Sequence, residues 1–420
     1  MASSFRVSSG WKQWMQGWQQ VDWLLFLVPT LLMSFSSVVI ASTQINLGAT
    51  SYGWNHFFLG LIACVMALWI ARIRYEVLLQ WQWVIYIAVN LSLLAVIFVG
   101  TSGFGAQRWI TIFGFNVQPS EFAKVGLIIT LASLLRDPFA TTLLGMFRVL
   151  AIASVPWALV FVQPDLGTSL VFGAITMGML YWANVNPGWL ILMMSPLVAA
   201  IVYHFSIPIW LVWSGIMGII AWRSLPWKIF STVLATAINL VSGKLGEVFW
   251  GFLKDYQKER LILFLDPDKD PLGGGYHLIQ SRIAIGAGKL WGRGLYEGTQ
   301  TQLNFIPEQH TDFIFSAIGE EWGFIGAIVV VTAFWFICLR LVIIAQNAKD
   351  NFGSLLAIGV FSMLIFQVII NIGMTIGLAP VTGIPLPWMS YGRSALLKNF
   401  IALGIVESVA NHRYRLKFGK

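Results

Sequence analysis

Apolar residues along this chain gather in blocks of about 20, the length a helix needs to cross a bilayer. The blocks at 22–41, 56–72, 79–99, 121–135, 147–163, 167–183, 188–204, 207–222, 229–250, 313–343, 353–375 and 393–410 predict twelve helices. Lys244 and Glu247 interrupt the block at 229–250. The short loops alternate in charge. Arg72/Arg74, Arg136/Arg148, Arg223/Lys228, Arg340/Lys349 and the tail residues Arg413, Arg415, Lys417 and Lys420 fall on one side. The opposite short loops hold almost no Lys or Arg, Arg108 being the main exception. By the positive-inside rule, both termini are expected in the cytoplasm.

Three segments stand outside this pattern. Residues 1–21 are polar, with Trp11, Trp14 and Trp18 at helical spacing, which predicts a helix lying on the membrane rather than a cleaved signal. Residues 411–420 form a basic tail. Residues 251–312 are the one long hydrophilic stretch, and the alternation places it outside the cell. Ten of the eighteen acidic residues lie between Asp255 and Glu321, and Gly273–Gly275, Gly286, Gly288, Gly292, Gly294 and Gly298 crowd the same region. Leu, Ile, Phe and Tyr interleave with them, which argues against disorder and predicts short helices and turns over the bundle's outer face.

Composition supports the membrane reading. Apolar residues make up 57% and charged residues 10%, against about 25% charged in soluble domains. The net charge of +8 suggests no nucleic-acid partner, because the basic residues sit in topology-setting loops. Cys64 and Cys338 both lie in apolar blocks and predict neither a redox pair nor a metal site.

Five polar segments carry candidate chemistry. Asp266-Pro-Asp268-Lys-Asp270-Pro-Leu-Gly-Gly-Gly spaces its carboxylates like a calcium loop. Pro271 and His277 then stand where Gly and Glu are needed, and Asp-Pro pairs commonly start turns. Asp270 precedes a glycine run that admits close approach of a ligand, so its carboxylate is placed to take a proton from a hydroxyl. Glu121 and Lys124 share a helix face at the start of an apolar block, either as a self-contained pair or as the lining of a polar cavity. Asp165, in Gln163-Pro-Asp165-Leu-Gly-Thr168, either caps the next helix or joins a site at the membrane face. His310 and Asp312 lack a third zinc ligand at usual spacing and read better as turn and cap residues. Pro380-Val-Thr-Gly-Ile-Pro-Leu-Pro-Trp388-Met-Ser-Tyr-Gly-Arg393 is irregular backbone between the last two helices, with Arg393 able to hold a phosphate.

Together with Gly105-Ala-Gln-Arg108-Trp109-Ile, these segments strongly resemble the SEDS family (shape, elongation, division and sporulation), in particular its rod-shape members. The matching motifs run in the family's order over most of the chain. The resemblance implies an all-α polytopic membrane protein with ten core helices and a large extracytoplasmic loop, in the bacterial cytoplasmic membrane. It implies a peptidoglycan glycosyltransferase that uses lipid II as donor and acceptor during cell elongation, beside a class B penicillin-binding protein and the elongation machinery. Asp270 corresponds to the family's catalytic Asp, Glu121 and Lys124 to its cavity pair, and Trp109 to its outer-loop Trp. Arg108, Asp165, His310 and Arg393 are further candidates for substrate contact. No resident metal is expected; a divalent cation, Mg or Mn, is a candidate helper at the leaving pyrophosphate. Two departures stand out. Residues 207–250 add two apolar blocks to the ten-helix core, and Arg393 stands where the family usually has a second Gly. A flippase for the same lipid-linked precursor and a pure scaffold are the competing classes. A flippase predicts polar residues at mid-membrane, an enzyme predicts them at the outer face, and a scaffold predicts no shared cluster.

Overall fold

The computed structural model describes residues 21–48, 51–103, 106–112, 114–252, 255–266, 269–270 and 275–413. The surface helix expected over residues 1–21, Asp268, the glycines at 273 and 274 and the tail beyond residue 413 lie outside the described residues, apart from Val21 and Gly275. The chain folds as a helix bundle: α1 (Trp23–Gln44), α2 (Ser51–Ile70), α3 (Glu76–Val99), α4 (Pro119–Leu135), α5 (Leu143–Val162), α6 (Leu166–Trp182), α7 (Pro187–Phe205), α8 (Ile207–Ser224), α9 (Lys228–Phe252), α10 (Asp255–Leu265), α11 (Tyr276–Ala287), α12 (Thr299–Gln302), α13 (Ile314–Gln346), α14 (Asn351–Ile376) and α15 (Arg393–Asn411). Each of the twelve apolar blocks falls on one of these helices. Among the described residues, nine helices are long and apolar enough to cross a membrane: α1, α2, α3, α5, α7, α8, α9, α13 and α14. The shorter α4 and α6 and the charge-bearing α15 pack among them.

Local signals explain where the helices start. Asp22, Thr142, Asp165, Asn186 and Asp350 accept hydrogen bonds from backbone N–H groups in the first turns of α1, α5, α6, α7 and α14. Proline opens α4, α7 and α8, where a missing N–H costs nothing. In lipid, apolar burial does not drive helices together, so close packing at small residues does. Gly404 of α15 shows this: a Cβ there would lie 2.7 Å from the Ala67 carbonyl oxygen of α2.

The bundle centre is α4, wrapped by α3, α5, α6, α14 and α15. Nearly all of α4 is buried, including Glu121 and Lys124. The surplus segment 207–250 resolves into two helices. Gly218 of α8 abuts Thr236 of α9, and Gly243 of α9 abuts Trp210 of α8, an antiparallel register. Asn239 of α9 donates to the Ser195 hydroxyl of α7 at 3.0 Å, and Gly246 packs on Ala200, so α9 runs parallel to α7. The pair goes out and back, and the loop after α9 emerges at the end where α7 finishes.

The all-α architecture holds, with one short sheet that the apolar blocks do not predict. Three short strands, β1 (Thr101–Gly103), β2 (Ala106–Ile112) and β3 (Phe115–Val117), pair as a small antiparallel sheet, with Thr101 opposite Trp109 and Ile110 opposite Val117. The β2–β3 turn passes through Gly114 at φ +80°, a conformation glycine adopts without strain. Strands this short leave little periodicity to read.

Candidate active site

A buried polar ladder starts at the sheet and runs into the bundle. Arg108 on β2 faces Asp165, Nη1 to Oδ1 3.9 Å. Asp165 caps α6 through the Thr168 N–H at 3.2 Å, accepts from the Thr168 hydroxyl at 2.9 Å, and takes a 3.4 Å bond from the Gln118 amide nitrogen. The Gln118 backbone N–H donates to the Ser394 hydroxyl at 2.9 Å, joining the first turns of α4 and α15. One turn further along α4, Lys124 Nζ lies 2.6 Å from Glu121 Oε1. Lys398 of α15 approaches the other oxygen, Nζ to Oε2 3.4 Å, and donates to Gln367 of α14 at 3.3 Å. Glu121, Lys124 and Lys398 are all buried. A charge this deep is tolerated only when paired.

A second cluster flanks the ladder. Asp312, just before α13, has its carbonyl bonded by Asn371 at 3.0 Å, and its carboxylate lies beside Gly383. Burial pushes its pKa up to about 6 from 3.8; Glu308 and Asp165 add to the rise, and Arg260 and Arg108 oppose it. His277 and His310 are held below the usual imidazole range, chiefly by burial. His310 packs in an aromatic group, 5.6 Å from Tyr52 and 5.8 Å from Tyr391 between ring centroids. The Tyr391 N–H donates to the His310 carbonyl at 2.9 Å, so the proline-rich break is tied to the turn before α13.

The long hydrophilic stretch folds over this end. Residues 288–303 form a strap against the kink in α13 at Gly323, where φ is +64°. The Phe324 and Arg293 N–H groups bond the Lys289 and Glu320 carbonyls, each at 2.9 Å. A Cβ at Gly292 would lie 2.1 Å from the Glu321 carbonyl oxygen, so only glycine fits. The Glu320 carboxylate accepts from the Gln300 and Thr301 N–H groups, each at 2.8 Å, and from the Thr301 hydroxyl at 2.6 Å, satisfying the start of α12.

The predicted residues divide accordingly. The structure joins Arg108 to Asp165 and Glu121 to Lys124, and Asp165 both caps its helix and belongs to the ladder. Trp109 sits half-buried on β2. Arg393 places its guanidinium over the Phe115 ring at 5.5 Å, fixing β3 to α15. Asp270 is half-buried between α10 and α11, its carbonyl accepting from the Gly275 N–H at 3.1 Å. Asp266 pairs with Lys269 at the exposed surface, 3.7 Å apart, as a turn residue does. Among the described residues, no three His, Cys, Asp or Glu side chains are arranged to hold a metal ion. Sequence reasoning missed Lys398 and Arg260 and took Asp312 for a cap. The available signal for Lys398 was an ammonium inside an apolar block.

The comparisons with known proteins agree with this architecture. A family model described as cell cycle protein, named for FtsW, RodA and SpoVE, matches residues 19–213 and 208–415. The two matches meet at the start of α8, where the surplus pair begins. The peptidoglycan glycosyltransferase MrdB of Escherichia coli strain K12 is 34% identical over 404 residues, covering 95% of this chain and 96% of that protein. The peptidoglycan glycosyltransferase RodA of Treponema pallidum is 33% identical over 428 residues, covering 94% and 98%. A solved chain from a peptidoglycan synthase complex that coordinates polymerization and crosslinking superposes with a TM-score of 0.70 at 25% identity, covering 94% of this chain and 99% of that one. RodA of Thermus thermophilus shares the fold, with a TM-score of 0.59 at 22% identity and coverage of 94% and 98%. The chain belongs to the cell cycle protein family of FtsW, RodA and SpoVE, the family its motifs resemble.

Proposed function

We propose that this multi-pass membrane protein is a peptidoglycan glycosyltransferase that polymerises lipid II into glycan strands during cell elongation. The observation that carries the reading is the convergence of Arg108, Asp165, Glu121 and Lys124 on one end of the bundle, the end covered by the loop that bears Asp270. Lys124 lies five residues beyond Pro119, about 7.5 Å along the helix axis in a hydrocarbon core about 30 Å thick. That depth suits a site at the membrane face better than a mid-membrane transport path. The positive-inside pattern supports an orientation with this end outside the bacterial cytoplasmic membrane and both termini inside.

Asp270 acts as the general base. Its carboxylate accepts the proton of the acceptor GlcNAc C4 hydroxyl while that oxygen attacks the anomeric carbon of the donor MurNAc. The bond to undecaprenyl pyrophosphate breaks, and its electron pair leaves on the phosphate oxygen. An α-linked donor gives a β-linked product in one inverting displacement, and no covalent sugar–enzyme intermediate forms. Arg108, Lys124 and Arg393 supply positive charge to the departing group. Trp109, Asp165 and His310 line the approach. A Mg or Mn ion carried in by the pyrophosphate is a further proposed helper, which titration with EDTA checks. A class B penicillin-binding protein supplies the crosslinks, in keeping with the synthase complex above.

The test uses purified full-length protein with lipid II and a penicillin to block crosslinking. Glycan ladders on a gel support the reading. Lipid-linked precursor crossing sealed vesicles, with no polymer formed, would replace it with transport.

A further inference from the structure

Two ammonium groups share one carboxylate inside this bundle. Lys124 contacts Glu121 Oε1 at 2.6 Å, and Lys398 contacts Oε2 at 3.4 Å. Among the described residues neither lysine pairs with another acid, so two basic side chains share one buried carboxylate. The two lysines are held differently. Lys398 also has Gln367 Oε1 at 3.3 Å and Met363 Sδ at 3.8 Å, whereas among the described residues Lys124 has Glu121 alone as a polar partner. A simple Glu–Lys pair is electrically closed: if its lysine turns toward another anion, a bare carboxylate stays buried, which is strongly unfavourable. A third, better-anchored charge removes that obstacle.

We propose that Lys398 is a positioning residue that keeps Glu121 neutralised while Lys124 is released to a diphosphate ester, the anionic group of the lipid-linked donor. The inference rests on the glycosyltransferase reading above and deepens it. The location fits. The first turns of α4 and α15 are joined by the Gln118–Ser394 bond, and α6 begins at Asp165, bonded to the same Gln118. Three helix N-termini therefore converge one turn outside the cluster, and their dipoles favour an anion there. The exchange breaks one ion pair and forms another; no covalent bond changes and no proton moves.

Two readouts on full-length protein test this. In the first, binding of undecaprenyl diphosphate is compared with binding of undecaprenol by native mass spectrometry. Wild type is expected to prefer the diphosphate, and Lys398→Met to bind it at least tenfold more weakly, with undecaprenol unaffected. Lys398→Arg should stay within about threefold of wild type. In Lys398→Met the Glu121–Lys124 pair is intact and a thioether lies beside Met363, so the fold is retained. In Glu121→Gln/Lys398→Met no buried carboxylate is left to strand, so diphosphate binding should recover to within about threefold of wild type. A purely structural lysine predicts no such recovery. The proposal is overturned if wild type shows no diphosphate preference, if Lys398→Met binds like wild type, or if the double variant is no better than Lys398→Met. In the second readout, polymerisation of lipid II, kcat/KM of Lys398→Met should fall at least tenfold. Wild type that binds diphosphate lipid but forms no polymer would refute the glycosyltransferase reading and leave the charge exchange standing.

Discussion

Asp312 offers a test in which stability and function move in opposite directions. Its carboxyl is pushed up to about 6 from 3.8, by burial first. An acid with a higher pKa folded than unfolded binds its proton more tightly in the native state. Its contribution to stability is therefore full below pH about 4 and is lost as the pH rises through about 6. A shift of about two units corresponds to about 3 kcal/mol, a ceiling here because Asp312 is partly solvent-exposed. Asp312→Asn removes the ionisation while keeping the side chain's size and hydrogen-bonding edge. The variant should be more stable than wild type at pH 7.5, and the difference should shrink to nothing by pH 4. The assay is the thermal melting of detergent-purified protein across that range. Equal pH slopes in the two proteins, or an Asn variant less stable at pH 7.5, would refute the reasoning. If the charge serves the site, polymerisation should fall in the same variant, the usual exchange of stability for function at a strained position.

Three further outcomes are expected. Asp165→Ala should lower stability by about 1–2 kcal/mol through the lost helix cap and release Arg108 and Gln118; Asp165→Asn should keep most of the stability but lose activity, and equal effects in both would contradict the dual role. Glu320→Ala removes the acceptor of four bonds in α12, each charge-assisted bond being worth about 1.5–3 kcal/mol, so hydrogen exchange over residues 293–303 should accelerate while the bundle stays protected. At the opposite end, Asp22 pairs with Arg340 and its N–H donates to the buried Glu407 at 2.5 Å; Arg340→Met should lower the melting temperature, and Asp22→Asn in that background should cost little more.

Much of the helical frame is legible in the sequence, because lipid imposes it: each apolar block long enough to span became a helix, and α9 did so despite Lys244 and Glu247. The sheet was not, because β1 and β3 have three residues each and are fixed by pairing rather than by pattern. Within the site, spacing revealed Glu121 and Lys124 because both lie on α4. Lys398 lies 277 positions from Glu121, and nothing local marks it as a partner. Asp165 was read as either cap or site residue; it caps α6 and also joins the buried ladder, since one carboxylate has lone pairs for Thr168 and Gln118 together. Asp312 looked like a turn residue; its raised pKa comes first from burial, with Glu308 and Asp165 adding to the rise against Arg260 and Arg108, surroundings that only folding assembles. Asp270 was singled out by family motif, and it lies half-buried between α10 and α11.

The central claim is that Asp270 takes the acceptor's proton. Its most direct test is the rate at which purified Asp270→Asn polymerises lipid II, with melting temperature and undecaprenyl diphosphate binding measured on the same sample. An unchanged melt, retained binding and a rate reduced at least a hundredfold, the lower bound for losing a positioned base, are predicted. Chain elongation at the wild-type rate would contradict the assignment.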